Sequence, residues 1–149
     1  MHYSTSPRAP EKGAAAHIKK AFTNPKGTQP PNAKKDVPGK DLRKPLHRNL
    51  DRKRNDDNRE AARKNCRKYF GKNYSQGNKY DCDEFPFAAT YEGSAQHDYD
   101  RNTPVNNFSV QPVIKKENGA GGALLLSFFA KYRILEGNDD AFIVKIDQR

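Results

Sequence analysis

Apolar residues recur with two different periods in the second half of the chain. Residues 85–91 mix aromatic and small side chains, and residues 108–114 alternate apolar with polar positions, so both runs predict β-strands. Residues 118–132 carry apolar side chains at i, i+3 and i+4 spacing, which predicts an amphipathic helix. Its buried stripe would comprise Leu124, Leu125, Phe128, Phe129 and Tyr132. A last apolar run at residues 141–146 predicts a strand inside the sheet.

A basic helix is predicted ahead of these elements. Residues 51–69 are dense in Arg, Lys and Asn and contain neither Gly nor Pro, and Asp51 is a suitable N-cap. The side chains available for packing are Ala61, Ala62, Cys66, Tyr69 and Phe70. The order helix, strand, strand, helix and strand predicts a small α+β domain with a short sheet over residues 46–149.

The first 45 residues have the composition of a tail. They hold seven of the ten prolines, and a short helix over residues 14–22 would have only Ile18 and Phe22 as large side chains to bury. Such a segment predicts a disordered, Pro- and Lys-rich tail or linker. We therefore expect that a chain lacking residues 1–44 still folds and keeps its activity.

Charge changes the picture of what the chain contacts. The net charge is +10 and the mean hydropathy is -1.11 over 149 residues, which is enough for one domain. Residues 1–80 hold 21 Lys and Arg against 7 Asp and Glu, whereas residues 81–149 hold 7 against 11. The basic half predicts contact with a polyanion such as nucleic acid, and the alternative is a solvated basic tail.

Two features bear on the compartment. No apolar run approaches the roughly 20 residues that span a bilayer, and residues 1–10 lack the apolar core of a signal peptide. A cytosolic protein, a mature secreted form and a fragment of a longer chain all stay open. Cys66 and Cys82 favour a disulfide worth about 3 kcal/mol in an oxidising compartment over two free thiols, and two cysteines cannot supply a tetrahedral zinc site.

Carboxylates in the acidic half suggest a site for a divalent cation. Asp83 and Glu84 precede the first predicted strand, Glu92 follows it, and Asn118 opens the second helix. Carboxylate and amide oxygens are the ligands that Mg2+ prefers, and a carboxylate can also accept a proton from an attacking water. Each residue also has a structural interpretation: Asn118 as an N-cap, Asp83 and Glu84 as an exposed turn, and Glu92 as a strand end facing water.

The histidines are expected to lie away from the acidic run. His2, His17 and His47 fall in or next to the predicted tail, and His97 falls in a long polar loop over residues 92–106. A Ser-His or Cys-His nucleophile therefore has no support in the sequence.

Two motifs resemble a known family. The run Cys82-Asp83-Glu84-Phe85-Pro86-Phe87-Ala88, continuing to Glu92-Gly93, resembles the Asp-Glu-aromatic-Pro-x-Ala…Glu-Gly signature of the NucA/NucB deoxyribonucleases. The run Glu117-Asn118-Gly119-Ala120-Gly121-Gly122 resembles that family's Asp-Asn-Arg-Gly-Ala-Gly segment. The resemblance covers about residues 45–146.

The resemblance implies a secreted endonuclease that uses Mg2+ or Mn2+ and has a compact ββα-metal core, of the His-Me finger type, in which an Asp replaces the usual histidine base. Carried over, Asp83 becomes the base and a metal-site residue, Asn118 a metal ligand, and Glu84 and Glu92 supporting acids. Gly119 stands where the family usually has an Arg. The phosphate contacts would then come from Arg59, Arg63, Lys115, Lys116 and Arg133.

The resemblance also bears on partners. It implies a monomer that acts on DNA without a membrane, and the nuclease domain of a secreted bacterial protein or toxin would have an immunity or inhibitor protein as a partner. Two rival functions remain: a basic module that binds nucleic acid without cutting it, and a disulfide-bonded structural domain. Plasmid DNA incubated with and without EDTA separates a metal-dependent nuclease from a binder, whose DNA retardation weakens with salt.

Overall fold

The computed structural model describes residues 1–148, which form a small α+β domain. Its helices are α1 (Lys12–Thr23), α2 (Arg52–Phe70), α3 (Gln96–Tyr99) and α4 (Lys115–Tyr132). Its strands are β1 (His2–Ser4), β2 (Leu46–His47), β3 (Tyr80–Phe85), β4 (Ser109–Ile114), β5 (Ala141–Phe142) and β6 (Lys145–Asp147). They pair as β1 with β6 in parallel, and as β2 with β5 and β3 with β4 in antiparallel. Within residues 1–148, no helix is both long and apolar enough to cross a bilayer.

The centre of the fold is an antiparallel pair followed at once by a helix. β3 and β4 pair from Tyr80 opposite Ile114 to Phe85 opposite Ser109, and α4 begins at the residue after β4. The strand predicted at residues 85–91 is wrong, because the acidic residues lie inside β3 rather than before it. Pro86, which has no backbone N–H to donate to a ladder, follows the last residue of β3.

The disordered tail predicted at residues 1–45 is also wrong. β1 pairs with β6, and α1 packs against α4, β3 and β4. The main hydrophobic core includes six buried side chains from this segment: Tyr3, Ala14, Ala15, Ile18, Ala21 and Val37. Three of them are alanines, so the segment packs into the core although it has few of the large apolar side chains from which burial was predicted.

The close approach of α1 and α4 depends on small residues. A Cβ on Gly121 would lie 2.9 Å from Cβ of Ala14 and 3.3 Å from Cε1 of Tyr3. No heavy atom would lie within 4 Å of a Cβ on Gly119 or Gly122, so of these three glycines only Gly121 marks a close backbone approach.

The basic helix and the disulfide are confirmed. The Asp51 side chain caps α2 by accepting a 2.9 Å hydrogen bond from the backbone N–H of Lys53. Cys66 of α2 is bonded to Cys82 of β3, with the two Cα atoms 6.1 Å apart. A second buried cluster surrounds this bond, formed by Ala62, Cys66, Phe108 and Val110. The disulfide therefore fixes the basic helix to the strand that carries the acidic residues.

The last helix and strand differ in detail from their predictions. α4 begins at Lys115, and of the predicted stripe Leu125 and Phe129 are buried while Tyr132 is exposed. The single final strand predicted at residues 141–146 is instead two short strands, β5 and β6, which pair with different partners.

Candidate active site

A cavity of about 440 Å³ lies where five elements meet. β3 contributes acidic side chains, α4 an amide, α2 two guanidinium groups, and β1 and α1 a largely apolar wall. The polar residues that line it are Asp81, Asp83, Glu84, Asn118, Arg59 and Arg63. Five of these six are residues that the sequence singled out, and the cavity brings them together although they span 60 positions of the chain.

Asp83 is held by a histidine. The Oδ2 atom of Asp83 lies 2.7 Å from Nδ1 of His17, and the other ring nitrogen, Nε2, lies 2.7 Å from Oγ of Ser109. The His17 side chain is 0% exposed, whereas that of Asp83 is 14% exposed. The expectation that no histidine lies beside the acidic run is therefore wrong, because α1 folds back onto β3.

Asn118 lies beside a second carboxylate. Its Nδ2 is 3.5 Å from Oδ2 of Asp81, which precedes Asp83 by two residues on β3. Residues two apart on a strand project from the same face, so both aspartates project toward the cavity with the amide. Asn118 is not an N-cap: α4 starts three residues earlier, its N-cap is Ile114, and no side chain caps it.

Glu84 differs from its neighbour in its environment. Its carboxylate is buried and accepts a 2.7 Å hydrogen bond from Oγ of Ser94. Burial, together with the nearby charge of Asp83, raises the pKa of Glu84 to about 7. Asp83 and Glu84 therefore do not form an exposed turn, and Glu84 can hold a proton near neutral pH.

Two arginines of α2 give the cavity its positive rim. Arg59 and Arg63 both line it, and their side chains are half exposed. Each also pairs with an acid of its own helix: Arg59 Nη1 lies 3.1 Å from Asp56 Oδ1, and Arg63 Nη1 lies 3.8 Å from Glu60 Oε2. Exposed pairs of this kind are worth little, so both guanidinium groups are available to a phosphate.

Glu92 lies in a different cavity. Its Oε1 is 2.5 Å from Nδ1 of His47, and its Oε2 accepts a 3.0 Å hydrogen bond from the backbone N–H of the same residue. The cavity beside this pair is also lined by Arg54, Tyr91 and Asp100. The structure therefore separates Glu92 from the other predicted acids, and the interpretation of Glu92 as a strand end facing water is wrong because the residue is buried.

The remaining predicted basic residues do not line the Asp83 cavity. Lys115 and Lys116 are exposed in the first turn of α4, where Lys115 Nζ donates a 2.9 Å hydrogen bond to Asn78 Oδ1. Arg133 ends α4 in the left-handed conformation, roughly 22 Å along the helix from Asn118 at 1.5 Å per residue. Any contact that these three make with DNA would be made outside the cavity.

Sequence reasoning missed three residues at this site. A correct strand boundary would have identified Asp81. If β3 begins at Tyr80, Asp81 and Asp83 lie two residues apart on the strand and project from the same face. His17 and Tyr3 carry no local signal, because their positions depend on how β1 and α1 pack. The Tyr3 hydroxyl donates a 2.8 Å hydrogen bond to the carbonyl of Gly121, and burial together with the charges of Asp83 and Glu11 raises its pKa well above the usual value.

Comparison with known families finds a match. The sequence model of a family described as Deoxyribonuclease NucA/NucB matches residues 33–145, which is more than half of the chain. The chain belongs to the NucA/NucB deoxyribonuclease family. Membership makes the chain a nuclease that acts on DNA. Neither a curated protein nor a solved structure matches it.

The extent of the NucA/NucB match bears on the domain boundary. It begins at residue 33, ahead of the boundary predicted at residue 46, and it includes β3, β4 and α4. Residues 1–32 lie outside the match, although β1 and α1 form one wall of the cavity.

Proposed function

We propose that this chain is a metal-dependent endonuclease that hydrolyses phosphodiester bonds of DNA with little sequence preference. The observation that carries the proposal is the cavity in which Asp81, Asp83 and Asn118 face Arg59 and Arg63. Opposite charges around one cavity suit cleavage of a backbone phosphate, because the phosphate oxygens need positive charge and the attacking water needs a base. Contacts to the phosphate backbone carry no base sequence, which supports the lack of preference.

The donor set fits a hard divalent cation. Within residues 1–148 no three His, Cys, Asp or Glu side chains are grouped to hold a metal, so a cation would need the amide oxygen of Asn118 beside Asp81 and Asp83. Asp81 and the amide would hold the cation directly and Asp83, the base, would lie beside it, which leaves coordination positions for water and phosphate. When bound, the cation would supply charge that stabilises the phosphate and its leaving oxygen.

The other steps belong to side chains of this chain. Asp83 accepts a proton from the attacking water as the new oxygen–phosphorus bond forms and the bond to the leaving oxygen breaks. Arg59 and Arg63 hold the charged phosphate at the rim of the cavity, and Glu84, which can stay protonated near neutral pH, can donate a hydrogen bond. We assign no proton transfer to Glu92, because its two oxygens are both bonded to His47.

The order β3, β4, α4 supports a ββα-metal core of the His-Me finger type. In that arrangement the base lies on a strand and a metal ligand on the helix that follows, and Asp83 and Asn118 occupy such positions. The disulfide supports secretion into an oxidising compartment. Monomeric action, origin in a toxin and binding of an immunity or inhibitor protein stay predictions.

Supercoiled plasmid DNA tests the proposal directly. We expect nicking and then linear DNA with Mg2+ or Mn2+, loss of cleavage in EDTA, and recovery when the cation is restored. Retardation of the plasmid without cleavage in either cation would instead support the non-catalytic binding module. The same assay with single-stranded RNA shows whether the cavity also accepts that polymer.

A further inference from the structure

We propose that His17 is a positioning residue for the cleavage reaction, and that the N-terminal segment outside the family match therefore completes the active site. The inference rests on the proposed nuclease function and names a residue that acts through Asp83. His17 holds the Oδ2 atom of the carboxylate, which leaves Oδ1 as the oxygen that accepts the proton of the attacking water. Within residues 1–148 no hydrogen bond reaches Oδ1 of Asp83.

The geometry leaves His17 no direct part in the chemistry. Its ring is fully buried, so neither DNA nor water can reach it. A neutral ring with its hydrogen on Nδ1 donates to Asp83 and accepts the hydroxyl hydrogen of Ser109 at Nε2, both at 2.7 Å. Since both nitrogens are bonded to fixed partners, the ring cannot rotate without losing one bond.

The supports of the ring come from three elements. His17 lies on α1, Asp83 on β3 and Ser109 on β4, where Ser109 is paired with Phe85 across the antiparallel ladder. α1 is fixed by its neighbours on either side of the histidine, because Ala14, Ala15, Ile18 and Ala21 are all buried in the main core. The position of the carboxylate is therefore coupled to the packing of a helix that the family match does not include.

A purely structural histidine is the competing explanation. A buried imidazole must have both nitrogens paired, and Asp83 and Ser109 would satisfy it even in a protein without activity. The two explanations differ in what they predict for kcat. Loss of a residue that orients a reacting group typically lowers activity 10- to 100-fold, whereas loss of a structural contact lowers the fraction of folded protein and leaves kcat per folded molecule unchanged.

Two amide substitutions separate these explanations. In His17→Asn the amide nitrogen takes about the place of Nδ1 and can still donate to Asp83, whereas in His17→Gln it takes about the place of Nε2 and faces Ser109. We expect His17→Ala and His17→Gln to lower kcat on plasmid DNA by roughly 10- to 100-fold with little change in KM. We expect His17→Asn to keep most of the wild-type kcat. Val144→Ala, a buried core change that does not line the cavity, is the control for lost stability.

The series of variants gives a result even if one of them does not fold. If His17→Ala is unfolded, the comparison of His17→Asn with His17→Gln decides, and Ser109→Ala should lower kcat less than His17→Gln because it leaves the bond to Asp83 in place. In an Asp83→Asn background, His17→Gln should cause no further loss of kcat, since the carboxylate that His17 orients is already absent. An additional loss there would show that His17 acts by another route and would overturn the proposal.

The outcomes distinguish this inference from the function on which it rests. A wild-type chain that cuts DNA while His17→Gln keeps its full kcat per folded molecule overturns the positioning role alone. Equal losses in His17→Asn and His17→Gln that match the loss in Val144→Ala point to structure only, and they overturn it as well. A wild-type chain that cuts no DNA with any divalent cation overturns the nuclease proposal, and the role of His17 falls with it.

Discussion

Of the histidine–carboxylate pairs within residues 1–148, those of His17 and His47 are largely buried, and they differ in which carboxylate oxygens they leave without a hydrogen bond. His17 binds one oxygen of Asp83, whereas His47 binds both oxygens of Glu92 through its ring and its backbone N–H. The first pair opens on a cavity with Arg59 at its rim, and the second joins β2 to the loop after β3. A carboxylate beside a histidine is therefore not by itself a catalytic group, because the unbonded oxygen and its surroundings decide what it can do.

The two histidines also differ in their burial. The His47 side chain is 23% exposed and that of His17 is 0% exposed. A partly exposed histidine whose carboxylate partner has both oxygens hydrogen-bonded joins two segments of the chain. A histidine without solvent contact, next to a carboxylate with one oxygen unbonded, instead fixes that carboxylate against the cavity.

The largest expected effect concerns the two carboxylates themselves. Asp83→Asn keeps the volume of the side chain and removes the base, so we expect cleavage of plasmid DNA to fall at least about 100-fold. Glu92→Gln, the matched change in the other pair, should leave kcat per folded molecule within about threefold of wild type. Rates of nicking with Mg2+ measure both variants, and equal losses in the two would remove the distinction between the pairs.

The next effect concerns Glu84, a buried carboxylate whose partner is a serine rather than a histidine. The folded protein raises the pKa of Glu84 from 4.5 to about 7 through burial, so the folded state binds more protons than the unfolded state between these values. The contribution of Glu84 to the free energy of unfolding should therefore fall as the pH rises from about 4.5 to 7, by on the order of 3 kcal/mol.

Chemical denaturation of the metal-free protein in EDTA, repeated between pH 4.5 and 8, measures this slope. Glu84→Gln should flatten it and be the more stable form at pH 8, while Glu60→Gln on the exposed face of α2 should leave it unchanged. Equal pH slopes in wild type and Glu84→Gln would contradict the raised pKa of Glu84.

A smaller effect is expected on the stability of the second pair. His47→Ala leaves the buried carboxylate of Glu92 with one fewer partner, which should lower the free energy of unfolding by about 1–3 kcal/mol. The kcat of the folded fraction should not change, because the Glu92 cavity lies apart from Asp83. Guanidinium unfolding followed by cleavage assays checks both statements, and a loss of kcat would place catalysis at the second pair.

Part of this comparison could be predicted from the sequence. Asp83, Glu84, Asn118, Arg59 and Arg63 were chosen from two motifs and a basic helix, and they line one cavity. Local signals were sufficient there because α2, β4 and α4 have clear periodicity or a clear cap. The disulfide could be predicted because the chain has only two cysteines, too few for a tetrahedral zinc site, and it is confirmed.

The rest depended on tertiary packing. The segment that carries Tyr3 and His17 has many prolines and few large apolar residues, so composition predicted disorder, yet its small side chains pack closely against α4. Glu92 follows Asp83 by nine residues and resembles it as an acid, but β3 ends between them and the chain turns to another surface. Neither the return of α1 onto β3 nor this separation has a local sequence signal.

The smallest expected effect compares arginines near the two cavities. Arg59 lines the Asp83 cavity, whereas Arg101, 73% exposed, lies in the loop that lines the Glu92 cavity. Each phosphate contact adds about -0.9 to the slope of log binding constant against log salt concentration. Arg59→Ala, placed in an Asp83→Asn background so that the DNA stays intact, should therefore reduce that slope by roughly 1, and Arg101→Ala should leave it unchanged. Fluorescence anisotropy of a labelled duplex between about 50 and 200 mM salt measures both slopes. Equal reductions would mean that DNA covers both cavities. In that case both histidine–carboxylate pairs would be exposed to substrate, although they lie in different cavities.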